Sequence, residues 1–230
     1  MTLPSPLIEG RLLRRYKRFF ADIELTDGSR VTAHTPNTGS MRQCAVPGHR
    51  VLISPATNPS RKLPYTLELI EVNGHWVDTH TQRTNRVVEE GLRRGWIAEL
   101  AGFEVIPEFR YHASRLDFLL ENPEQRVLVE VKNVTLCCQP GVACFPDAVT
   151  SRGQKHLREL LRARQEGYRA VIFFLVQRAE AETFSPADAI DPEYGRLLRE
   201  VTRQGVEILA YKSVVSPTET RIGQGIPVIL

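Results

Sequence analysis

No stretch of this 230-residue sequence is apolar for long enough to cross a bilayer. The longest uninterrupted run, 170–176, falls far short of the ~20 residues a spanning helix needs. The first residues do not place a cationic stretch before an apolar one, so no secretory signal is expected. Only four cysteines are present (Cys44, Cys137, Cys138 and Cys144), with no C-x-x-C pair, so neither a disulfide scaffold nor a zinc-ligand pattern is expected. A reduced, cytoplasmic setting follows as the expectation. The six histidines form no H-E-x-x-H pairing, and neither G-x-S-x-G nor G-x-G-x-x-G occurs, which sets aside zinc-protease, serine-hydrolase and Rossmann readings. Lysine is scarce: the chain has 5 Lys against 25 Arg.

What is present is ordinary globular composition, 42% hydrophobic and 25% charged, in a chain long enough for one large domain or two small ones. The net charge of +3 is unevenly placed. Residues 1–80 hold 10 basic and 7 acidic side chains, whereas residues 81–230 hold 20 of each. A polyanion partner is therefore sought first in the opening third.

That third reads as β structure. Runs at 7–13, 19–25, 30–34, 50–54 and 65–72 are rich in β-branched and aliphatic residues, separated by Asp27-Gly28, Pro47-Gly48, Asn58-Pro59 and Asn73-Gly74 turns. Asn73-Gly74 before His75-Trp76-Val77 is a hairpin signal. Five or six short strands without a helix suggest an OB-like β-barrel over residues 1–82. Residues 83–230 change character. Helical spacing over 85–101 leads to strands at 103–109, 115–120 and 126–134, and a loop over 136–149 leads to a helix over 150–165. The continuous apolar run 170–176 suits a strand covered on both faces, and a helix over 192–204 and a strand over 206–212 follow. This order predicts a three-layer α/β domain.

Within it, Asn122-Pro123-Glu124-Gln125 has type I turn composition. A tight hairpin centred between Pro123 and Glu124 places Asp117 opposite Glu130, with Cβ atoms about 5 Å apart on one face and Lys132 on that same face. Two opposed carboxylates repel unless a cation lies between them. Mg²⁺ (or Mn²⁺) suits such oxygen donors and tends to add substrate phosphate oxygens. Lys132 would then help deprotonate or orient the attacking water, or offset charge on the phosphorane. This is the chemistry of phosphodiester hydrolysis, with Asp117, Glu130 and Lys132 as candidate catalytic residues.

Asp117 followed by Glu130-Val131-Lys132 at the end of an apolar strand, after a helix bearing Glu89-Glu90, resembles the PD-(D/E)xK nuclease superfamily, although Leu116 stands where the superfamily's name has Pro. More specifically, Arg15-Tyr16-Lys17-Arg18-Phe19, Pro36-Asn37-Thr38-Gly39-Ser40-Met41, Asp117-Phe118, Glu130-Val131-Lys132 and Phe145-Pro146-Asp147-Ala148-Val149-Thr150 with Arg152-Gly153-Gln154-Lys155-His156-Leu157 resemble the SfsA family, named for stimulation of sugar fermentation. The resemblance implies an OB-like N-terminal domain, a restriction-endonuclease-like C-terminal domain, and a DNA-binding regulator of maltose-type genes. The alternative is a Mg²⁺-dependent nuclease acting on DNA or RNA. It also favours Glu90 over Glu89 as a third metal ligand.

Further candidates for nucleic-acid binding are the cations Arg11, Arg14, Arg15, Lys17 and Arg18, interleaved with Tyr16, Phe19 and Phe20. Gln154 and Lys155 join them at the start of the crossover helix, where backbone N–H groups attract phosphate. His156 beside them is as well explained as a surface residue. DNA, with RNA as the alternative, is the expected partner. A membrane is not expected, and self-association into a homo-oligomer is left open.

Overall fold

The computed structural model describes residues 1–58 and 60–230; Pro59, half of the expected Asn58-Pro59 turn, lies outside the described residues. Six strands open the chain: β1 (Ile8–Tyr16), β2 (Phe20–Leu25), β3 (Arg30–His34), β4 (Arg50–Pro55), β5 (Tyr65–Val72) and β6 (His75–Asp78). They pair in the order β3-β2-β1-β4-β5-β6, and a β3–β5 contact closes the first five into a barrel. Alternation drives the closure. Leu12, Ile23, Val51, Ile53, Leu67 and Ile70 point inward and form one core. Asn73 and Gly74, both at positive φ, make the tight β5–β6 turn that their composition predicts.

The remainder runs α1 (Thr81–Arg93), β7 (Glu104–Tyr111), β8 (Ser114–Glu121), β9 (Arg126–Val134), β10 (Leu136–Gln139), β11 (Val142–Phe145), α2 (Ser151–Gln165), β12 (Arg169–Val176), β13 (Thr183–Pro186), α3 (Pro192–Arg203), β14 (Glu207–Val215) and β15 (Thr220–Gly225). The main sheet has the order β15-β14-β12-β9-β8-β7, with β12 parallel to both β9 and β14. Its two faces carry separate cores. Ile172 and Phe174 of β12 pack with α2 and α3, while Val171, Phe173 and Leu175 pack with α1. The 170–176 run is apolar throughout because both faces of that strand are covered.

Three local expectations are corrected. The first helix starts at Thr81 and stops at Arg93, rather than spanning 85–101. Gly95 takes φ +69°, and the Trp96 amide turns back to the Gly91 carbonyl, which is glycine's usual way of ending a helix. The expected loop 136–149 contains the β10–β11 hairpin, whose β11 pairs in parallel with β13. On that hairpin Cys138 and Cys144 form a disulfide, leaving Cys44 and Cys137 free.

Several contacts join the domains, among them the Gln43 side chain, which bonds the Cys137 backbone and Arg178, and two joints at the barrel's exit and at Asp147. At the barrel's exit, Arg83 is buried against the carboxylates of Glu68 and Asp78, and Ser54 also bonds Glu68. Farther along, Asp147 accepts from the Ser40 hydroxyl and the Met41 amide, each at 3.0 Å, while Ser40 Oγ also donates to the Asp147 carbonyl at 2.8 Å. The segments 36–41 and 145–150, far apart in the chain, thus meet through one side chain.

Candidate functional site

The β8–β9 hairpin has the register expected from its turn. Phe118 pairs with Val129, Leu119 with Leu128 and Leu120 with Val127. Asn122 fixes the turn, its side-chain oxygen accepting from the amides of Glu124 and Gln125. The ladder ends just short of Asp117. There the Asp117 carboxylate itself accepts the Val131 amide, at 2.7 Å from Oδ2. Oδ1 accepts from Asn85 of α1, also at 2.7 Å.

Glu130 lies across from Asp117 and is buried. Its Oε1 is approached by Lys132 Nζ and by His156 Nδ1 of α2, and these two nitrogens lie 3.1 Å apart. Its Oε2 is buried with no hydrogen-bond partner, as is the hydroxyl of Tyr194 on α3. The two carboxylates are tuned differently. Burial, and then the charge of Glu130, push Asp117 up to about 6, against the pull of the Val131 amide, Lys132 and Asn85. Burial would also raise Glu130, but Lys132 and His156 overcome it and hold Glu130 below the usual carboxylate range. Neighbouring carboxylates with divergent affinities for protons are a feature of functional clefts.

Asp117, Glu130, Lys132 and His156 line a cavity of about 1010 Å³ between the two domains. The barrel contributes Arg15, Arg18 and the 37–40 turn, and the α/β domain contributes Asn85, Arg152 and the 144–151 segment. Of the other sequence candidates, Arg15 and Arg18 reach this cavity; Arg11, Arg14, Lys17, Gln154, Lys155 and Glu90 do not line it. Glu90 instead pairs with the Met1 amino group and Arg94, and Glu89 pairs with Arg93. Asn85, one turn earlier on α1, is the helical residue that meets Asp117. Gln154 bonds Asp191, which caps α3, and Lys155 lies 3.6 Å from Glu159. Arg11 donates to the Gly48 carbonyl and Arg14 pairs with Asp22. The Arg15 guanidinium is spent on the carbonyls of Arg18, Asn37 and Ser40. His156, which the sequence left as a surface residue, is buried at the centre. Gly153, His156, Leu157 and Leu160 all share the inward face of α2, a spacing that could have pointed to it. No comparable signal marks Asn85 or Tyr194. Among the described residues, no group of three or more His, Cys, Asp or Glu side chains is arranged to hold a metal ion; beside Lys132 the carboxylates are Asp117 and Glu130, while Glu108 and Asp147 also line the cavity.

An OB-type barrel joined to a three-layer α/β domain, with paired acids and an amine at the floor of the shared cleft, defines the class. Residues 13–78 match the family described as SfsA N-terminal OB domain, and residues 82–219 match the family described as Sugar fermentation stimulation protein RE domain. The chain belongs to the sugar fermentation stimulation protein (SfsA) family. It is 67% identical over its whole length to the sugar fermentation stimulation protein homolog of Syntrophotalea carbinolica, and 58% identical to that of Pelobacter propionicus, each covered in full. The solved structure of Pyrococcus furiosus SfsA in complex with Ca²⁺ has a TM-score of 0.90 and 29% identity, covering 100% of this chain and 98% of that one.

Proposed function

We propose that this chain binds nucleic acid, DNA foremost, in the interdomain cleft, and that with Mg²⁺ or Mn²⁺ the cleft hydrolyses phosphodiester bonds. The observation that carries the reading is the convergence of Asp117, Glu130 and Lys132 on the floor of a cavity whose rim bears Arg18 and Arg152. The donor set fits a divalent ion that retains several waters. Glu130 Oε2 is buried and unpartnered, and Asp117 carries an unfavourable charge beside it. The relative solved with Ca²⁺ supports the same capacity here.

Such an ion would be held by Asp117 and Glu130 and would supply Lewis-acid polarisation and a more acidic water. The chain's own residues do the rest. Asn85 and the Val131 amide orient Asp117. Lys132, steadied by Glu130, places an ammonium where negative charge develops on the phosphorus oxygens. Arg18 and Arg152 bind flanking phosphates. A second reading, a DNA-binding regulator of sugar-metabolism genes that does not cut, is favoured by one observation: Lys132 already balances the Glu130 charge, and His156 occupies the same carboxylate oxygen.

Labelled single- and double-stranded DNA and RNA, incubated with Mg²⁺ or Mn²⁺ beside a Glu130→Gln variant, separate the two. Cleavage by the native chain and about 10³-fold less by the variant supports hydrolysis. Binding without cleavage of any substrate supports the regulator.

A further inference from the structure

The tip of the β1–β2 hairpin is built unusually. Lys17 and Arg18 both occupy the left-handed region, at φ 47° and 62°, although neither is glycine. Backbone held in that region persists only where surrounding contacts enforce it, and such outliers gather at binding sites. The result is to turn Phe19 outward. It is 42% exposed, and its ring lies parallel to that of His34, with an interplanar angle of 6° and centroids 6.2 Å apart. Tyr16 and Phe20 stack alongside at 5.3 Å, with the Arg14 guanidinium over Tyr16. The barrel therefore carries an aromatic surface on β1, β2 and β3 that its core does not use.

This surface adjoins the cleft. Arg18, the residue before Phe19, lines the cavity, and His34 lies three residues before Asn37, which also lines it. Whereas Arg14 and Arg158 are paired to Asp22 and Glu193, Arg18 and Arg152 enter no ion pair among the described residues. Across the cavity, Val149 is 72% exposed, an apolar side chain on a polar rim.

We infer that the Phe19–His34 surface is a base-stacking platform, and that it selects single-stranded nucleic acid and leads it past Arg18 into the cleft. A paired base in a duplex keeps its faces against its neighbours, whereas an unpaired base offers a free face to Phe19. Unpartnered cations on the same path take the phosphates, which gives the charge complementarity a strand needs. The inference rests on the nucleic-acid reading above, but needs neither a metal ion nor cleavage.

The test is fluorescence anisotropy of a labelled 20-nucleotide strand of mixed sequence, and of the same strand in duplex, with the full chain in EDTA. The native chain should bind the single strand at least about tenfold more tightly than the duplex. Phe19→Ala should weaken single-strand binding about tenfold and leave duplex binding unchanged, with an unaltered melting temperature as the check on folding. Phe19→Trp should retain affinity, and its indole fluorescence should be quenched by the single strand alone. Equal preference for duplex, or a Phe19→Ala loss identical for both polymers, overturns the platform while leaving nucleic-acid binding intact. Failure to bind either polymer removes the nucleic-acid reading itself.

Discussion

At the scale of single residues, the floor of the cleft is unstable by design of its charges. Asp117, raised to about 6, is favourable to folding while it holds a proton. That contribution is present below the carboxylate's ordinary range near 4 and is lost as pH rises through about 6, because the folded chain binds the proton more tightly than the unfolded one. A divalent ion needs the deprotonated form. The rise in melting temperature on adding Mn²⁺ should therefore be small at pH 5 and full by pH 8, and absent in Glu130→Gln; differential scanning fluorimetry at the two pH values reads it. The positions of Asp117, Glu130 and Lys132 were legible in the sequence because a short turn dictates hairpin register by counting. Glu90 was not, because a helical wheel gives direction but not destination: its side chain turns to the Met1 amino group. Nor does a local pattern announce that Arg15 will spend its fork on three carbonyls.

Between elements, two joints can be tested. Arg83 serves two buried carboxylates at once, an imbalance that burial and the charge of Glu68 aggravate by pushing Asp78 up to about 6. Removing the guanidinium strands both acids, so Arg83→Met should cost ~3–5 kcal/mol in urea denaturation. Asp78→Asn should behave otherwise. Above pH 6 it replaces a penalised charge while Glu68 still pairs with Arg83. As pH falls through 6 the native Asp78 gains its own proton and the variant's relative standing drops. Melting curves of the two chains at pH 5 and pH 8 should diverge in that sense. The other joint is Asp147. Asp147→Ala leaves the Met41 amide without its acceptor and the Ser40 hydroxyl with only the main-chain carbonyl of residue 147, and should cost ~1–3 kcal/mol. Gly39→Ala should loosen the same contact, since an added Cβ would lie 2.9 Å from Asp147 Oδ2. The succession of elements from α1 to β14 and the parallel relation across the crossover helix followed from runs and turns. What did not follow was the end of α1 at Gly95, since Trp96, Ile97 and Leu100 continue a helical period beyond the break, or the short β10, β11 and β13 strands and the edge strand β15, which carry too little apolar alternation to stand out.

For the whole molecule, the sequence placed its positive excess in the barrel, and the structure narrows it. Arg14 and Arg50 are neutralised by Asp22, Glu9 and Glu71, so the barrel's count of cations overstates what a polyanion meets. Affinity for DNA should fall steeply with salt, and Arg18→Ala with Arg152→Ala should together lower the slope of log affinity on log salt by about 2. Arg14→Ala should leave the slope nearly unchanged, and titrations at several salt concentrations decide it.

The shared cleft has an evolutionary corollary. Asp147 must find a small turn with a hydroxyl on the opposite domain, and that turn must find Asp147. A chimera assembled from the barrel of one relative and the α/β half of another should work only when this pair is transplanted together. The two halves are thereby bound to drift in concert, and shuffling either one alone meets a barrier where the 39–41 turn and Asp147 meet.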